Sequence, residues 1–146
     1  MKTRISIVLF NLILTGCSGT TPNLGINNGK LLSCPPSPNC VSSQATDNEH
    51  FIEPLHYQGT QQAAQQHLLQ ILKSEARTKI VTEEEHYLRA EFTSALLGFV
   101  DDVEFYFPEQ AAGEKIIHVR SASRIGYSDL GVNRERLERI RAKFSD

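Results

Sequence analysis

The spacing of apolar residues changes twice along this chain, and these changes limit the folds open to it. After Thr60, a good helix N-cap, apolar residues recur at every third or fourth position for about four turns, which is typical of an amphipathic helix. From 78 to 121 the period falls to two. From 133 to 144 the helical spacing returns, with Leu137, Ile140 and Phe144 on the apolar side and Arg136, Glu138, Arg139 and Lys143 away from it. The chain therefore predicts a helix, a run of strands and a second helix.

The strands predict a sheet with one buried face. Val103, Phe105 and Phe107 alternate with polar residues, as in an antiparallel sheet that is covered on one side. Pro54 would restrict a further short strand at 52–57 to a sheet edge. We expect an α+β two-layer sandwich, in which an antiparallel sheet of about four to five strands carries two helices on one face. The polar face is then exposed or covered by loops. The predicted strands are 79–82, 86–94, 102–107 and 115–121, and the covering loops are 41–59 and 122–132.

The first 16 residues predict a removable signal peptide. Lys2 and Arg4 precede an apolar run of about ten residues, half of the roughly 20 that a spanning helix needs. The run Leu14-Thr15-Gly16 before Cys17 resembles the bacterial lipobox, whose cysteine receives a thioether-linked diacylglycerol and usually a third acyl chain. Two or three acyl chains, such as palmitate, hold a protein stably at a membrane. An ordinary signal peptide with an incidental cysteine is the alternative.

The expected organisation is a signal peptide at 1–16, a lipidated flexible tether at 17–30 and a single domain at 31–146. The tether is small, polar and turn-prone. Loss of the signal removes two basic residues and no acid, so the formal charge moves from −2 to −4. A mildly acidic domain argues against nucleic-acid binding, which requires a concentrated basic face. If the source has two membranes, Ser18 after the lipid cysteine resembles the residue type that permits transfer to the outer membrane, rather than the aspartate that retains some lipoproteins at the inner one. We then expect the periplasmic face of the outer membrane.

Cys34 and Cys40 enclose a loop that contains three prolines. In an exported protein, an even pair of close cysteines indicates a disulfide. A zinc site would need two further ligands, for which His50 and His56 are nearest, but the spacing fits no common zinc pattern. A redox pair would have a two-residue gap. We therefore expect a disulfide, with neither a metal nor a cofactor.

An acidic group at Asp101, Asp102 and Glu104 is the first candidate site. Alternation places Asp102 and Glu104 on one strand face, about 7 Å apart. Two carboxylates at this spacing can share a divalent cation or divide the roles of acid and base. The alternative is that they are solvated, or are partners for arginines.

The second candidate site follows the last predicted strand. Paired guanidinium groups, hydroxyls and a helix N-terminus supply the donors that an anion or an acidic glycan requires. The alternative is an internal ion-pair network, in which Arg120 and Arg124 bind Asp101, Asp102 or Asp129 and hold the loop on the sheet. The candidate ligand-binding residues here are Arg120, Ser121, Ser123, Arg124, Tyr127, Asp129, Asn133 and Arg134.

Four segments together resemble the DUF1499 family, an uncharacterised group of domains that often follow a lipobox. The likeness covers about Leu31 to Phe144. It implies a single exported domain, and it implies no reaction, ligand or catalytic residue. The segments are 34–44, 99–105, 119–124 and 126–134.

The chain contains no nucleotide-binding glycine loop, His-Glu-x-x-His motif or Gly-x-Ser-x-Gly elbow. The leading hypothesis is therefore a non-enzymatic, lipid-tethered binding or accessory domain of the cell envelope, with an anionic or glycan ligand or a protein partner. The alternative is a hydrolase or transferase acting on envelope material, with Asp101, Asp102 or Glu104 as acid or base and the arginines as anion holders. A purely structural assembly partner is the third hypothesis.

Overall fold

The computed structural model describes residues 19–109 and 115–145. The predicted signal peptide and Cys17 lie outside the described residues. In chain order, the elements are β1 Cys40–Ser42, β2 Leu55–His56, α1 Gln61–Ser74, β3 Thr78–Glu84, β4 Tyr87–Thr93, β5 Val100–Tyr106, β6 Ile116–Ser123 and α2 Val132–Ser145.

The strands form an antiparallel six-stranded sheet in the order β1-β6-β5-β4-β3, with β2 also paired to β6. The predicted α+β fold is confirmed. The sheet exceeds the expected four to five strands because two very short strands, β1 and β2, pair with β6. Strand β2 begins directly after Pro54, which lacks the N–H that a central strand would use.

The two helices cover one face of the sheet and enclose the core. Thr60 caps α1 as predicted, because its side chain accepts a 3.2 Å hydrogen bond from the N–H of Ala63. Full burial of one large apolar side chain contributes about 1.5–3 kcal/mol, so the apolar residues between the helices and the sheet are a major source of stability. The buried residues include Leu68, Leu69 and Leu72 of α1, Leu137 and Ile140 of α2, and Val103, Phe105, Ile117 and Val119 of the sheet.

Arg136 of α2 corrects one expectation of the helical pattern. The pattern places this arginine on the outer side of the helix, but only 6% of it is exposed. Its Nη2 donates a 2.6 Å hydrogen bond to Oδ2 of Asp101, and its guanidinium lies 4.7 Å from the ring centroid of Phe92. Arg136 therefore joins the helix to the sheet through an ion pair inside the core layer.

The opposite face of the sheet is covered by the N-terminal segment. Thr20, Pro22 and Ser33 line one cavity together with side chains of β5 and β6. Leu24 to Ile26 lie beside Tyr87 and other residues of β3 and β4. Part of the stretch assigned to a tether thus lies along the sheet, and the charged side chains beneath it are buried.

Candidate functional site

Glu104 and Arg120 form a fully enclosed ion pair on the polar face of the sheet. The register of β5 against β6 sets them directly opposite each other. Arg120 Nη1 donates a 2.9 Å hydrogen bond to Glu104 Oε2, and the hydroxyl of Tyr87 donates a 2.7 Å bond to Oε1. The Arg120 side chain is 5% exposed and the Glu104 side chain 0%. The carboxylate of Glu104 is therefore fully occupied by neighbours on the two adjacent strands.

Asp102 has a second arginine. The Nε and Nη2 atoms of Arg124 donate to its two oxygens at 2.8 and 2.9 Å, which is the bidentate geometry that favours Arg over Lys. Arg124 Nη2 also donates to Glu91. Arg89 lies beside both acids, at 3.6 Å from Asp102 Oδ1 and 3.4 Å from Glu91 Oε1. These three arginines and three carboxylates carry formal charges that cancel. We name the set, together with Tyr87, the outer network: Tyr87, Arg89, Glu91, Asp102, Glu104, Arg120 and Arg124.

Electrostatics in the outer network favour the charged forms of Arg124 and Glu91 and the neutral phenol of Tyr87. Burial raises the pKa of Tyr87, and the charge of Glu104 and the hydrogen bond to it act in the same direction. The hydrogen bonds of Arg124 to Asp102 raise the pKa of its guanidinium. Burial opposes ionisation of Glu91, but the contacts with Arg124 outweigh this effect and the pKa of Glu91 is lowered.

A cavity of about 300 Å³ lies between the outer network and the N-terminal segment. Arg120 lines it, and the Nε of this buried arginine has no hydrogen-bond partner among the described residues. The Nε of buried Arg89 in the outer network likewise has no hydrogen-bond partner among the described residues, and a buried donor without a partner is costly. The walls are formed by Thr20, Pro22, Leu32, Ser33, Cys34, Pro35, Asp102, Arg120, Ala122, Ser123 and Arg124.

A separate polar network lies on the helix-covered face. Arg136 donates to Asp101, to Ser121 Oγ at 3.1 Å and to Asn133 Oδ1 at 2.6 Å. Asn133 Nδ2 in turn donates a 3.0 Å hydrogen bond to Ser123 Oγ. These contacts join the end of β6 to the start of α2. They have the form of a structural connection between helix and sheet.

A family comparison covers both networks and the cavity wall apart from Thr20 and Pro22. The chain matches the model described as a protein of unknown function, DUF1499, over residues 30–144. It belongs to the DUF1499 family. The predicted resemblance is thereby confirmed across every helix and strand of this DUF1499 domain except the last residue of α2. Neither the curated proteins nor the solved structures contain a match to the chain.

The two candidate sites do not coincide with the two networks of the DUF1499 domain. Asp102 joins Arg124, as the ion-pair alternative expects, but Arg120 pairs with Glu104 and Asp101 pairs with Arg136. The sequence placed the candidates in two chain segments, whereas the sheet sorts them by face.

The remaining candidates lie at the start of α2 and make separate contacts. Asp129 accepts hydrogen bonds from the N–H groups of Gly131 and Asn133 at 3.0 and 2.8 Å, and so caps the helix. Arg134 donates to the carbonyl of Glu49 at 2.9 Å. Tyr127 is 75% exposed. These three side chains therefore do not line the cavity.

The two candidate sites predicted from the sequence leave out Tyr87, Arg89 and Glu91 of β4. They alternate with Leu88, Ala90 and Phe92, so their shared polar face was readable. The register of β4 against β5 places Arg89 opposite Glu104 and Glu91 opposite Asp102. The sequence pattern does not predict this register.

The predicted disulfide between Cys34 and Cys40 is present, with a Cα–Cα distance of 5.6 Å. Chain-entropy estimates assign about 2–3 kcal/mol to so short a ring. Cys34 lines the cavity and Cys40 begins β1, so the bridge fixes one wall of the cavity to the sheet. The zinc alternative has no support in the described ranges, which contain no group of three or more His, Cys, Asp and Glu side chains able to hold a metal.

His50 holds the disulfide loop from its other side. Its Nδ1 lies 2.8 Å from Asp47 Oδ1 and its Nε2 lies 3.2 Å from the carbonyl oxygen of Ser37, which is inside the loop. Burial disfavours the imidazolium, but the bonds to Ser37 and Asp47 outweigh burial and raise the pKa of His50 above its ordinary value of 6.5. Two acceptors around one ring match the doubly protonated form.

This geometry predicts a pH-dependent contribution to stability. Because the folded pKa is raised, the contribution of charged His50 is complete below pH 6.5 and is lost as the pH rises through the folded value. In urea unfolding, the stability difference between wild type and His50→Gln should be widest below pH 6.5 and should narrow at higher pH. His118, whose pKa burial lowers, is common to both proteins and cancels. A difference that is constant or widens with pH would contradict this role.

Proposed function

We propose that this DUF1499 member is an exported cell-envelope lipoprotein, anchored through Cys17, whose domain binds an anionic or glycan envelope ligand without transforming it. The cavity beneath the N-terminal segment is the binding site. In a source with two membranes, Ser18 after the lipid cysteine supports placement of the protein on the periplasmic face of the outer membrane. The observation that carries the binding role is the wall of the cavity, where two arginines, Arg120 and Arg124, meet a single lining acid, Asp102.

The lining chemistry supports a ligand that accepts hydrogen bonds. Arg120 and Arg124 oppose a single lining acid, Asp102, and Thr20 and Ser33 add hydroxyls. A carboxylate, a phosphate or the hydroxyls of a sugar would accept from this set. A volume of about 300 Å³ accommodates one small group rather than an extended chain.

Binding is favoured over catalysis by the state of the acids. Asp101, Asp102 and Glu104, the residues that a hydrolase or transferase would use, are each hydrogen-bonded to an arginine. A general acid or base must offer its oxygen to a substrate, and the oxygens of these carboxylates are already taken by guanidinium groups. The outer network therefore supports a fixed frame around the ligand.

The anchor is supported by the sequence before residue 19. The basic start, the short apolar run and the lipobox-like residues before Cys17 fit a lipidated N-terminus. No helix in the described parts of the chain is long and apolar enough to cross a membrane.

Replacing Cys17 by serine should abolish fractionation with membranes, because the thioether to diacylglycerol requires the sulfur. Wild type and Cys17→Ser should be compared after salt-washed membrane preparation and immunoblotting. A Cys34→Ser variant, which retains Cys17, controls for loss of a cysteine as such. Recovery of Cys17→Ser in membranes at the wild-type level would contradict lipid anchoring.

The cavity should prefer an acidic sugar to a neutral one. Glucuronate should raise the melting temperature of the purified protein in detergent more than glucose does, since only glucuronate offers a carboxylate to Arg120. Ala122→Leu fills the cavity beside the arginines without removing a charge, and a melt without ligand establishes that this variant is folded. It should lose the response. Equal responses to both sugars, or an undiminished response in folded Ala122→Leu, would contradict binding in this cavity.

A further inference from the structure

Six large apolar side chains are exposed on two loops of the domain. They lie in the β4–β5 loop, residues 94–99, and in or just after the β6–α2 loop, residues 124–131. Leu96 and Leu130 are 92% and 90% exposed. Exposed apolar groups that cluster mark a contact surface. We name the set the apolar rim: Leu96, Leu97, Phe99, Tyr127, Leu130 and Val132.

Both loops leave the same end of the sheet. Strand β4 ends at Thr93 and β5 begins at Val100, while β6 runs antiparallel to β5 and ends at Ser123, opposite Asp101. The N–H of Arg124 donates a 3.1 Å hydrogen bond to the carbonyl of Val100. The second loop therefore starts beside the last residue of the first one, and the six side chains share one end of the domain.

The described chain begins at this same end. Gly19 has a φ of +70°, and a Cβ placed on it would lie 2.9 Å from Cβ of Arg124 and from Cγ2 of Ile125. A glycine is thus required by both the backbone conformation and the close approach. Cys17 precedes Gly19 by two residues in the sequence, and two residues of chain reach at most about 7 Å. An acyl chain on Cys17 would emerge next to the apolar rim.

We propose that the apolar rim inserts into the lipid bilayer beside the acylated cysteine and fixes the orientation of the domain, with this end of the sheet facing the membrane. This inference rests on the lipid anchor of the proposed function. The acyl chains supply the affinity, whereas the rim selects which face of the domain meets the membrane.

Charge at this end suits a lipid surface. The loop at 94–99 contains no charged residue. The carboxylate of Asp129, the acid of the second loop, is occupied by backbone N–H groups. Exposed Arg77 lies at the same end, where its Nε donates to the carbonyl of Thr93, and it can meet lipid phosphates. Tyr127 is of the residue type that favours the headgroup layer.

Single tryptophans test the orientation, since the chain has none of its own. Leu96→Trp and Tyr127→Trp place a reporter on each loop, and Glu85→Trp places a control in the β3–β4 turn at the opposite end of the sheet. Each full-length lipidated protein is reconstituted into vesicles of phosphatidylethanolamine and phosphatidylglycerol that carry brominated acyl chains. Fluorescence is compared with that in vesicles without bromine.

Loss of fluorescence at 96 and 127, with none at 85, is the expected result, since interfacial side chains enter the boundary by about 5–10 Å. Adding Leu96→Asp to the Tyr127→Trp protein should restore its fluorescence. Equal quenching of all three reporters, or none in protein that floats with the vesicles, overturns the rim but leaves the anchor intact. A fluorescence change at 96 and 127 that depends on protein concentration and not on lipid would assign the apolar rim to contact with a second copy. That result also overturns insertion into the bilayer. Wild type that fails to float overturns the anchor and, with it, this proposal.

Discussion

Arg120→Met is expected to lower the free energy of unfolding by about 3–5 kcal/mol, the usual cost of leaving a buried charge without its partner. Glu104 is fully buried, and among the described residues it forms its ion pair with Arg120, at 2.9 Å. Without that guanidinium, the carboxylate keeps only the hydroxyl of Tyr87. Methionine preserves much of the apolar stem, so the loss reports on charge rather than on packing.

Urea unfolding at neutral pH measures this effect against two comparisons. Arg124→Met should cost less, because Arg89 remains 3.6 Å from Asp102. Arg77→Met removes an exposed arginine and should change stability by no more than about 0.5 kcal/mol. A melting temperature that is unchanged or raised in Arg120→Met would contradict an internal ion pair, and would instead indicate an arginine held in a strained site for a ligand.

Arg136→Met is expected to have a comparable effect on the other face, about 3–5 kcal/mol where burial is complete. Its guanidinium holds Asp101 of β5 at 2.6 Å and also donates to Ser121 and Asn133. Its loss leaves a carboxylate, a hydroxyl and an amide without their shared donor between helix and sheet. Because the Asp101 side chain is 10% exposed, water can replace part of the lost contact, so we expect the lower end of this range.

Arg139→Met on the same helix is the matched control. Its side chain is 50% exposed, and its partner Glu75 retains Lys143 at 2.6 Å. The Glu75 side chain is 7% exposed, but Lys143 keeps it paired, so we expect a loss of about 1 kcal/mol, the upper end for exposed pairs. Urea unfolding of both variants should therefore separate them clearly. Equal losses for Arg136→Met and Arg139→Met would contradict the role given to the buried pair.

The strand and helix pattern was readable from the chain because burial on one side imposes a period. Val103, Phe105 and Phe107 repeat every second residue, and Leu137, Ile140 and Phe144 repeat at helical spacing. Thr60 adds a local signal, since its hydroxyl needs only the third residue after it. Such elements depend on neighbours in sequence. The short strands β1 and β2 lack the length for a period and owe their existence to pairing with β6.

The candidate site was only partly readable because its contacts join distant segments. Arg120 and Glu104 were both named as candidates, but their pairing depends on the register between β5 and β6. Arg136 appeared to be a surface residue because a helical pattern assigns charge to solvent. The covering of the polar face by residues near Thr20 and Ser33 has no periodic signal, since that segment is neither helix nor strand.

The buried charges of the polar face are partners of one another, and a double-mutant cycle of Arg120→Met and Glu104→Gln tests this claim most directly. Each single change should destabilise the domain by leaving one buried charge, whereas the double variant removes both charges and should regain part of the loss. We predict a coupling free energy of about 2–3 kcal/mol in urea unfolding. Losses in the free energy of unfolding that simply add in the double variant would contradict this claim. Single variants as stable as wild type would contradict it as well.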